Sequence, residues 1–293
     1  MGQMKKKNDS TPLAVILMHC PDQKGLVAAV TNYLFSLQAN IVDLDQHVDL
    51  DSGQFFMRVA WELEGFVLPA DGIADDFKMN IADKFDMKFQ LHITDRPMRM
   101  AVFVTRLSHC LYDLLQRYKS KEWNVEIPVI ISNHNNLRPI ADQFEIPFHY
   151  FEVNPENKLE QEENILHLLE EEEIDFLVLA RYMQILSVKM IAKYPNRIIN
   201  IHHSFLPAFI GARPYHQAFE RGVKIIGATS HYITEDLDAG PIIAQDVEHI
   251  THKDSVKDLI RKGKDLEKLV LARAVWNHLQ HNILPYKNRT FIF

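Results

Sequence analysis

Apolar positions along the chain fall into two rhythms that change over near residue 97. From Leu13 the chain reads LAVILMHC, a short apolar run, then the turn PDQKG, then LVAAVTNYLFSLQANI, whose apolar residues recur at the spacing of one helix face. IVDLDQHVDL and QFFMRVAWEL alternate and are separated by DSG, a hairpin signature. A second helix, roughly Ala74 to Phe85, and a strand near MKFQLHIT complete a β-α-β-β-α-β order. That order predicts a ferredoxin-like α/β unit over residues 11–95, one sheet layer under two helices.

From Met98 strands and helices alternate instead. MRMAVFVT reads as an apolar strand, SHCLYDLLQRYK as an amphipathic helix, VEIPVIISN as a strand, LRPIADQFE as a short helix and FHYFEV as a third strand. After the acidic helix KLEQEENILHLLEEEE comes IDFLVLA, a continuous apolar run of the kind buried on both faces of a parallel sheet. Glu170 to Glu173 are assigned to a solvated helix end. The pattern predicts a second, Rossmann-like unit over residues 98–293 with a mostly parallel sheet and a site at the carboxyl ends of its strands. VKDLIRKGKDLEKLVLARAVWNHL is an amphipathic helix with Trp276 assigned to its apolar side, and the final TFIF an added strand.

Composition narrows the function. The chain has 293 residues, 47% hydrophobic and 24% charged, enough for two cored domains. Its net charge of −7 supplies no general attraction to phosphate backbones, so no nucleic-acid partner is expected. Cys20 and Cys110 lie far apart and outside any disulfide or zinc spacing, which fits a reducing cytoplasm. MGQMKKKNDS is not followed by a signal-peptide apolar region, and no run reaches the length of a membrane span, so residues 1–10 are expected to be a disordered, solvated tail and no membrane partner is expected. Lys6 stands where a myristoylation pattern requires Ser or Thr.

The richest chemistry lies in NIHHSFLPAF, which begins at Asn200. RIINIHH reads as a strand, on which residues i and i+2 share a face, so Asn200 and His202 project together and His203 projects away. Adjacent imidazoles on opposite faces do not close on one metal, and no HxxxH or HExxH spacing replaces them, so no metal is expected. A carboxamide beside an imidazole suits carbonyl chemistry, the amide donating to a developing oxyanion and the ring carrying protons. A carboxylate to complete the set lies in SHYITEDLDAGPII, on a loop punctuated by Gly240 and Pro241; spacing alone does not choose between Asp236 and Asp238, and both could merely cap the turn.

Two resemblances follow from these stretches. PDQKGLVAAVTNYL resembles the first turn and helix of an ACT domain, a small-molecule regulatory module; the resemblance implies an amino-acid effector such as glycine or methionine at Asp22, Lys24, Gly25 and Leu26, and a homo-oligomer, dimer or tetramer. The plain alternative is a turn whose Gly25 only lets the chain enter a helix. NIHHSFLPAF followed by GATSHYITEDLDAGPIIAQ resembles the formyltransferase fold, with its N-x-H-x-S-x-L-P and later D-x-G patterns. It implies catalytic roles for Asn200, His202 and Asp238, a second histidine near the site at His231, and a folate pocket lined by LARYMQILS, including Met183, Gln184, Ile185 and Leu186. Gln184 stands where transformylases of this fold usually carry Arg.

The loop after the first strand of this half, VTRLSHCLYDLL, has no glycine, so a phosphate cradle is not expected there. His109 and Cys110 follow that strand and either approach the site or fill the helix start; His109 is taken as substrate-binding. Arg213 and His216 in GARPYHQA are taken to shape the loop after the catalytic strand. An ACT module ahead of a formyltransferase-like half resembles the formyltetrahydrofolate deformylases, which implies hydrolysis of 10-formyltetrahydrofolate by water to formate and tetrahydrofolate, feeding purine synthesis and balancing one-carbon units, with no further cofactor. Formyl transfer to an amine acceptor is the alternative. An effector-sensing protein without catalysis is a third reading, against which Asn200, His202 and Asp238 together argue.

Overall fold

A computed structural model of the chain describes residues 11–208 and 214–293. The expected tail, residues 1–10, and Arg213 lie outside the described residues. Two compact units emerge: one runs to Pro97 and takes in His281–Leu284 and Phe291–Phe293, the other comprises Met98–Gln280 and Pro285–Thr290.

The first unit has strands β1 (Leu13–Pro21), β2 (Asn40–Asp49), β3 (Gln54–Glu62) and β4 (Lys88–Ile93) with helices α1 (Leu26–Ser36) and α2 (Ile73–Asn80). The sheet order is β2-β3-β1-β4, and each neighbouring pair is antiparallel. Leu26, Val30 and Leu34 form the buried stripe of α1, and Ile73 and Phe77 that of α2, both closing on Trp61, Met57 and Val59 of β3. Phe77 meets Phe89 edge-on at 4.9 Å. On the other side of β3, Phe56 stacks on Phe291 at 3.7 Å and Arg58 donates through Nε to the His281 carbonyl at 3.0 Å, which explains why C-terminal residues join this unit. Helix α2 ends earlier than periodicity predicts: the chain leaves helical geometry at Ile81, and Ala82–Lys84 make one separate 3₁₀ turn.

The second unit alternates β5 (Met98–Val104), α3 (His109–Lys119), β6 (Val125–Ser132), α4 (Arg138–Gln143), β7 (Phe148–Tyr150), α5 (Lys158–Glu171), β8 (Phe176–Leu179), α6 (Val188–Lys193), β9 (Ile198–His202), α7 (Pro214–Arg221), β10 (Ile225–Tyr232), β11 (Ile242–His249) and α8 (Val256–Leu279). Its sheet order is β11-β10-β9-β8-β5-β6-β7; β5 to β9 pair in parallel and β10 is antiparallel to both its neighbours. All four residues of β8 are buried, as a strand covered on both faces requires. From β5 the chain first builds outward through β6 and β7, then returns to the other side with β8 and β9. A crevice at the carboxyl ends of β5 and β8 is where such a reversal leaves room for a ligand. Helix α8 packs on β9, β10 and β11, and α3 and α7 pack on α8. Trp276 is not in the core: its neighbour Val275 is buried, whereas Trp276, one position round the helix, is 41% exposed. Strands β12 (Ile283–Tyr286) and β13 (Arg289–Ile292) form a separate two-stranded sheet.

Candidate active site

Antiparallel register sets Asn200 of β9 directly opposite His231 of β10, and His202 opposite Thr229. Burial makes these positions stiff, since His202, His231 and Thr229 are all buried and their polar atoms need partners. The His231 Nδ1–H donates to the Tyr232 carbonyl at 2.9 Å, which leaves Nε2 as the acceptor. The Asn200 amide Nδ2, 3.2 Å away, donates to it. That contact fixes which way the carboxamide faces, and it occupies one of its two N–H bonds. Burial lowers the pKa of His231 despite the Tyr232 contact, so the ring stays neutral and keeps its acceptor.

Asp238 approaches from the loop between β10 and β11. Its Oδ1 lies 3.3 Å from His202 Nδ1 and 3.8 Å from His231 Nε2. The His202 contact holds the Asp238 carboxyl below the usual carboxylate range although burial opposes it, so the group is anionic at neutral pH. A carboxylate at Nδ1 orients the imidazole and leaves Nε2 of His202, which has no hydrogen-bond partner among the described residues, for proton transfer. Two local features shape the loop. Asp238 sits at φ +54°, and Gly240 lies so close to β10 that an added Cβ would be 1.8 Å from the Tyr232 carbonyl oxygen. Asp236, the alternative in the sequence, is exposed and off the cavity wall.

Asn200, His202 and Asp238 line a cavity of about 630 Å³ at the carboxyl end of the sheet, within the second unit. Met183, Gln184, Ile185 and Leu186 line it as well, with Ile233 and Leu237 adding apolar wall. Two buried polar groups pin the ends of that wall: Thr105 Oγ1 accepts the Met183 N–H at 2.9 Å, and the Glu162 carboxylate accepts the Ser187 N–H at 3.2 Å. Beyond β9, Thr229 holds the next loop by accepting from the Leu206 N–H and donating to the Ser204 carbonyl.

Other residues fall differently from expectation. His203 also lines the cavity, because β9 ends at His202 and strand alternation stops governing the next side chain. Burial first, and the Arg181 charge second, push its pKa down to about 4, so it is neutral. His231 supports Asn200 from behind and is not among the residues lining the cavity. His109 does not line it either: its Nε2–H donates to Glu267 Oε2 at 2.7 Å. Cys110 is buried, with its thiol pushed well above the ordinary range by burial. Ligand-type atoms of His109, Cys110 and Glu267 lie within 4.8 Å of one another. A cation there would meet the Arg181 guanidinium, whose Nε is 3.5 Å from the same carboxylate, so the donor set does not suit one. His216 lines the cavity and is exposed. In the first unit Asp22, Lys24 and Gly25 are exposed, whereas Leu26 is 2% exposed in the core.

Sequence reasoning overlooks Tyr215 and Glu267 on the cavity wall, and takes in Arg181 only as part of the LARYMQILS stretch, without a role of its own. Glu267 left a readable trace: with Gly263, Val270 and Ala274 it falls on the buried stripe of α8, where a carboxylate has no place without partners. An amide donor, an imidazole and a carboxylate on one apolar-walled cavity are the parts for attack on a carbonyl carbon.

Known proteins agree with this architecture. The formyl transferase family matches residues 98–275 and the ACT domain family residues 14–62. A formyltetrahydrofolate deformylase of Synechocystis is 52% identical, the match covering 96% of this chain and 98% of that one. The crystal structure of a formyltetrahydrofolate deformylase from Pseudomonas syringae superposes with a TM-score of 0.93 at 41% identity, over 98% of this chain and 96% of that one. A glycinamide ribonucleotide transformylase from Symbiobacterium toebii superposes with a TM-score of 0.64 at 26% identity, over 70% of this chain and 98% of that one. Likeness at this level over both units places the chain in one group: it belongs to the formyltetrahydrofolate deformylase family.

Proposed function

We propose that this protein hydrolyses 10-formyltetrahydrofolate to formate and tetrahydrofolate, so supplying formate to purine synthesis and balancing one-carbon units. The observation that carries the reading is the convergence of Asn200, His202 and Asp238 on the cavity walled by Met183 to Leu186. Asp238 and His202 orient a water and take its proton. The water attacks the formyl carbon, and the oxygen that becomes negative is stabilised by the Asn200 N–H that His231 does not use. Collapse of the tetrahedral species breaks the bond from the formyl carbon to nitrogen, and His202 returns the proton to the departing nitrogen. The folate occupies the apolar wall, with Gln184 available for polar contact.

Incubation of the purified chain with 10-formyltetrahydrofolate and no amine tests this. Formate is expected above the uncatalysed rate, and a rate no faster than buffer ends the reading. Strict dependence on an added amine would instead identify a formyl transferase.

For the first unit, we infer an amino-acid effector, glycine or methionine, at the loop bearing Asp22, Lys24 and Gly25. Exposed charges of both signs there match an ammonium and a carboxylate. Leu26, being buried, contributes shape only. The match to the ACT domain family over residues 14–62 supports assembly as a homo-oligomer, dimer or tetramer. Two buried, unpaired cysteines fit the reducing cytoplasm, and among the described residues no helix is long and apolar enough to cross a membrane. Formate release with and without each amino acid, and mass in solution, check these points.

A further inference from the structure

Resting on the hydrolytic reading, we infer that a buried network of Tyr215, Glu267, His109 and Arg181 is an acceptor filter, which restricts the nucleophile in this cavity to water and rejects amines. Three carboxylates stand among the residues lining the cavity: Glu235, which is exposed, Asp238, which is committed to His202, and Glu267. An amine that is to receive a formyl group arrives mostly as an ammonium ion and must be held, deprotonated and aimed. A buried carboxylate with a free oxygen is the group that does this most readily.

Glu267 is buried, 2% exposed, and both its oxygens are in use. Oε1 accepts the Tyr215 hydroxyl at 2.7 Å, and Oε2 accepts His109 Nε2–H at 2.7 Å with the Arg181 Nε at 3.5 Å. Burial alone would raise its pKa, but the His109 hydrogen bond and the Arg181 charge outweigh burial and keep it anionic. An ammonium ion therefore finds an occupied carboxylate and a guanidinium beside it. Water, small and neutral, meets neither obstacle.

The network is built with care at the backbone. Gly263 of α8 leaves the space that the Tyr215 ring fills: an added Cβ would lie 2.0 Å from the tyrosine oxygen and 2.2 Å from Cζ. Arg181 adopts φ +65°, a left-handed conformation rare outside glycine, as the chain turns off β8. A His203 ring 6.1 Å from the Tyr215 ring and 5.1 Å from the His202 ring connects the network to the reacting end of the cavity.

Opening the filter would let a small amine compete. Its nitrogen would bond to the formyl carbon, the bond from that carbon to the folate nitrogen would break, and the proton the amine loses would pass through His202 to the departing nitrogen. The test supplies 10-formyltetrahydrofolate and glycinamide to the full-length protein and measures formate and N-formylglycinamide together. The wild type is expected to give formate with N-formylglycinamide at the uncatalysed level. Tyr215→Phe, which frees one Glu267 oxygen with little change of volume, and Gly263→Ala, which displaces the ring, are each expected to raise the ratio of N-formylglycinamide to formate about tenfold, the discrimination that one hydrogen bond supplies. Tyr215→Phe carries the test alone if Gly263→Ala does not fold. A hydrolysing wild type whose ratio does not respond in a folded Tyr215→Phe overturns this inference and leaves the hydrolytic reading standing. A wild type that passes its formyl group only to glycinamide overturns both.

Discussion

The two units bury different kinds of residue. Among the described residues the first unit buries one polar or charged side chain, Arg58, whereas the second buries Thr105, Ser132, Asn133, Glu162, His202, Ser204, Thr229, Ser230, His231 and Glu267. A buried polar group costs free energy unless it is hydrogen-bonded. The second unit meets that cost with connected networks: His231 on Asn200, Asp238 on His202, Thr229 on the Ser204 to Leu206 loop and Glu267 on three partners. The first unit is held by its apolar core, and its candidate effector residues Asp22, Lys24 and Gly25 lie on an exposed loop. Damage to the first unit should therefore register as lost stability, and damage to the second first as lost rate.

The sharpest break of that contrast pairs a core residue with a network residue. Trp61 is fully buried at the centre of the first unit's core, so Trp61→Ala should cost about 3–5 kcal/mol of stability, read as a lowered urea midpoint. Asn200→Ala should lower kcat by about 10²–10³-fold, equivalent to about 2.7–4 kcal/mol, with little change in that midpoint. Should Asn200→Ala melt as Trp61→Ala does while each folded molecule keeps its rate, the distinction between the units would collapse.

How much of this was legible in the sequence depends on how far apart the determining residues lie. Strand alternation over Ile199 to His202 brings Asn200 and His202 to one cavity because it is a local rule, and it misleads at His203, the first residue past the strand. Spacing does not choose Asp238 over Asp236; the D-x-G resemblance does, and the physical reason, a positive φ at Asp238 and the close approach of Gly240 to Tyr232, is not encoded in loop composition. Tyr215 lies on α7, Glu267 on α8 and Arg181 in the turn after β8, so no spacing rule joins them. Periodicity also placed Trp276 wrongly, since one step of a helix turns a side chain from the core to the surface.

Acidification offers a test of intermediate size, because each unit holds a half-buried histidine whose pKa lies far below the ordinary value. Burial, with Arg58 nearby, lowers His92 to about 4 in the first unit; burial, with Arg181 nearby, lowers His203 to about 4 in the second. An unfolded histidine titrates near 6.5. Both folded values are depressed, so the stability they contribute is fully present above about 6.5 and is lost as pH falls towards 4, where only the unfolded chain takes up the proton. At pH 5 the loss should reach about 2 kcal/mol for each histidine. His92→Gln and His203→Gln should each flatten the fall in stability between pH 7 and pH 5, measured by urea unfolding at both. An unchanged slope in His203→Gln would mean that its ring is already hydrated in the folded protein.

The smallest effect lies at the start of α8, the helix that carries Gly263 and Glu267. Ser255 Oγ accepts the Asp258 N–H at 3.3 Å and Asp258 Oδ2 accepts the Ser255 N–H at 3.0 Å, a reciprocal cap on two N–H groups that would otherwise lack partners. Ser255→Ala removes one half of it and should cost about 1 kcal/mol. The first turn is also held by Leu259, which is fully buried, so fraying should stop there and leave Gly263 and Glu267 in place. The midpoint of unfolding should fall slightly while the rate of formate release stays the same, since hydrogen bonds broken outside the cavity leave its geometry intact. A rate that fell along with the midpoint would show that the second unit transmits strain from its helix ends to Glu267, and that its networks are less insulated than their dense hydrogen bonding implies.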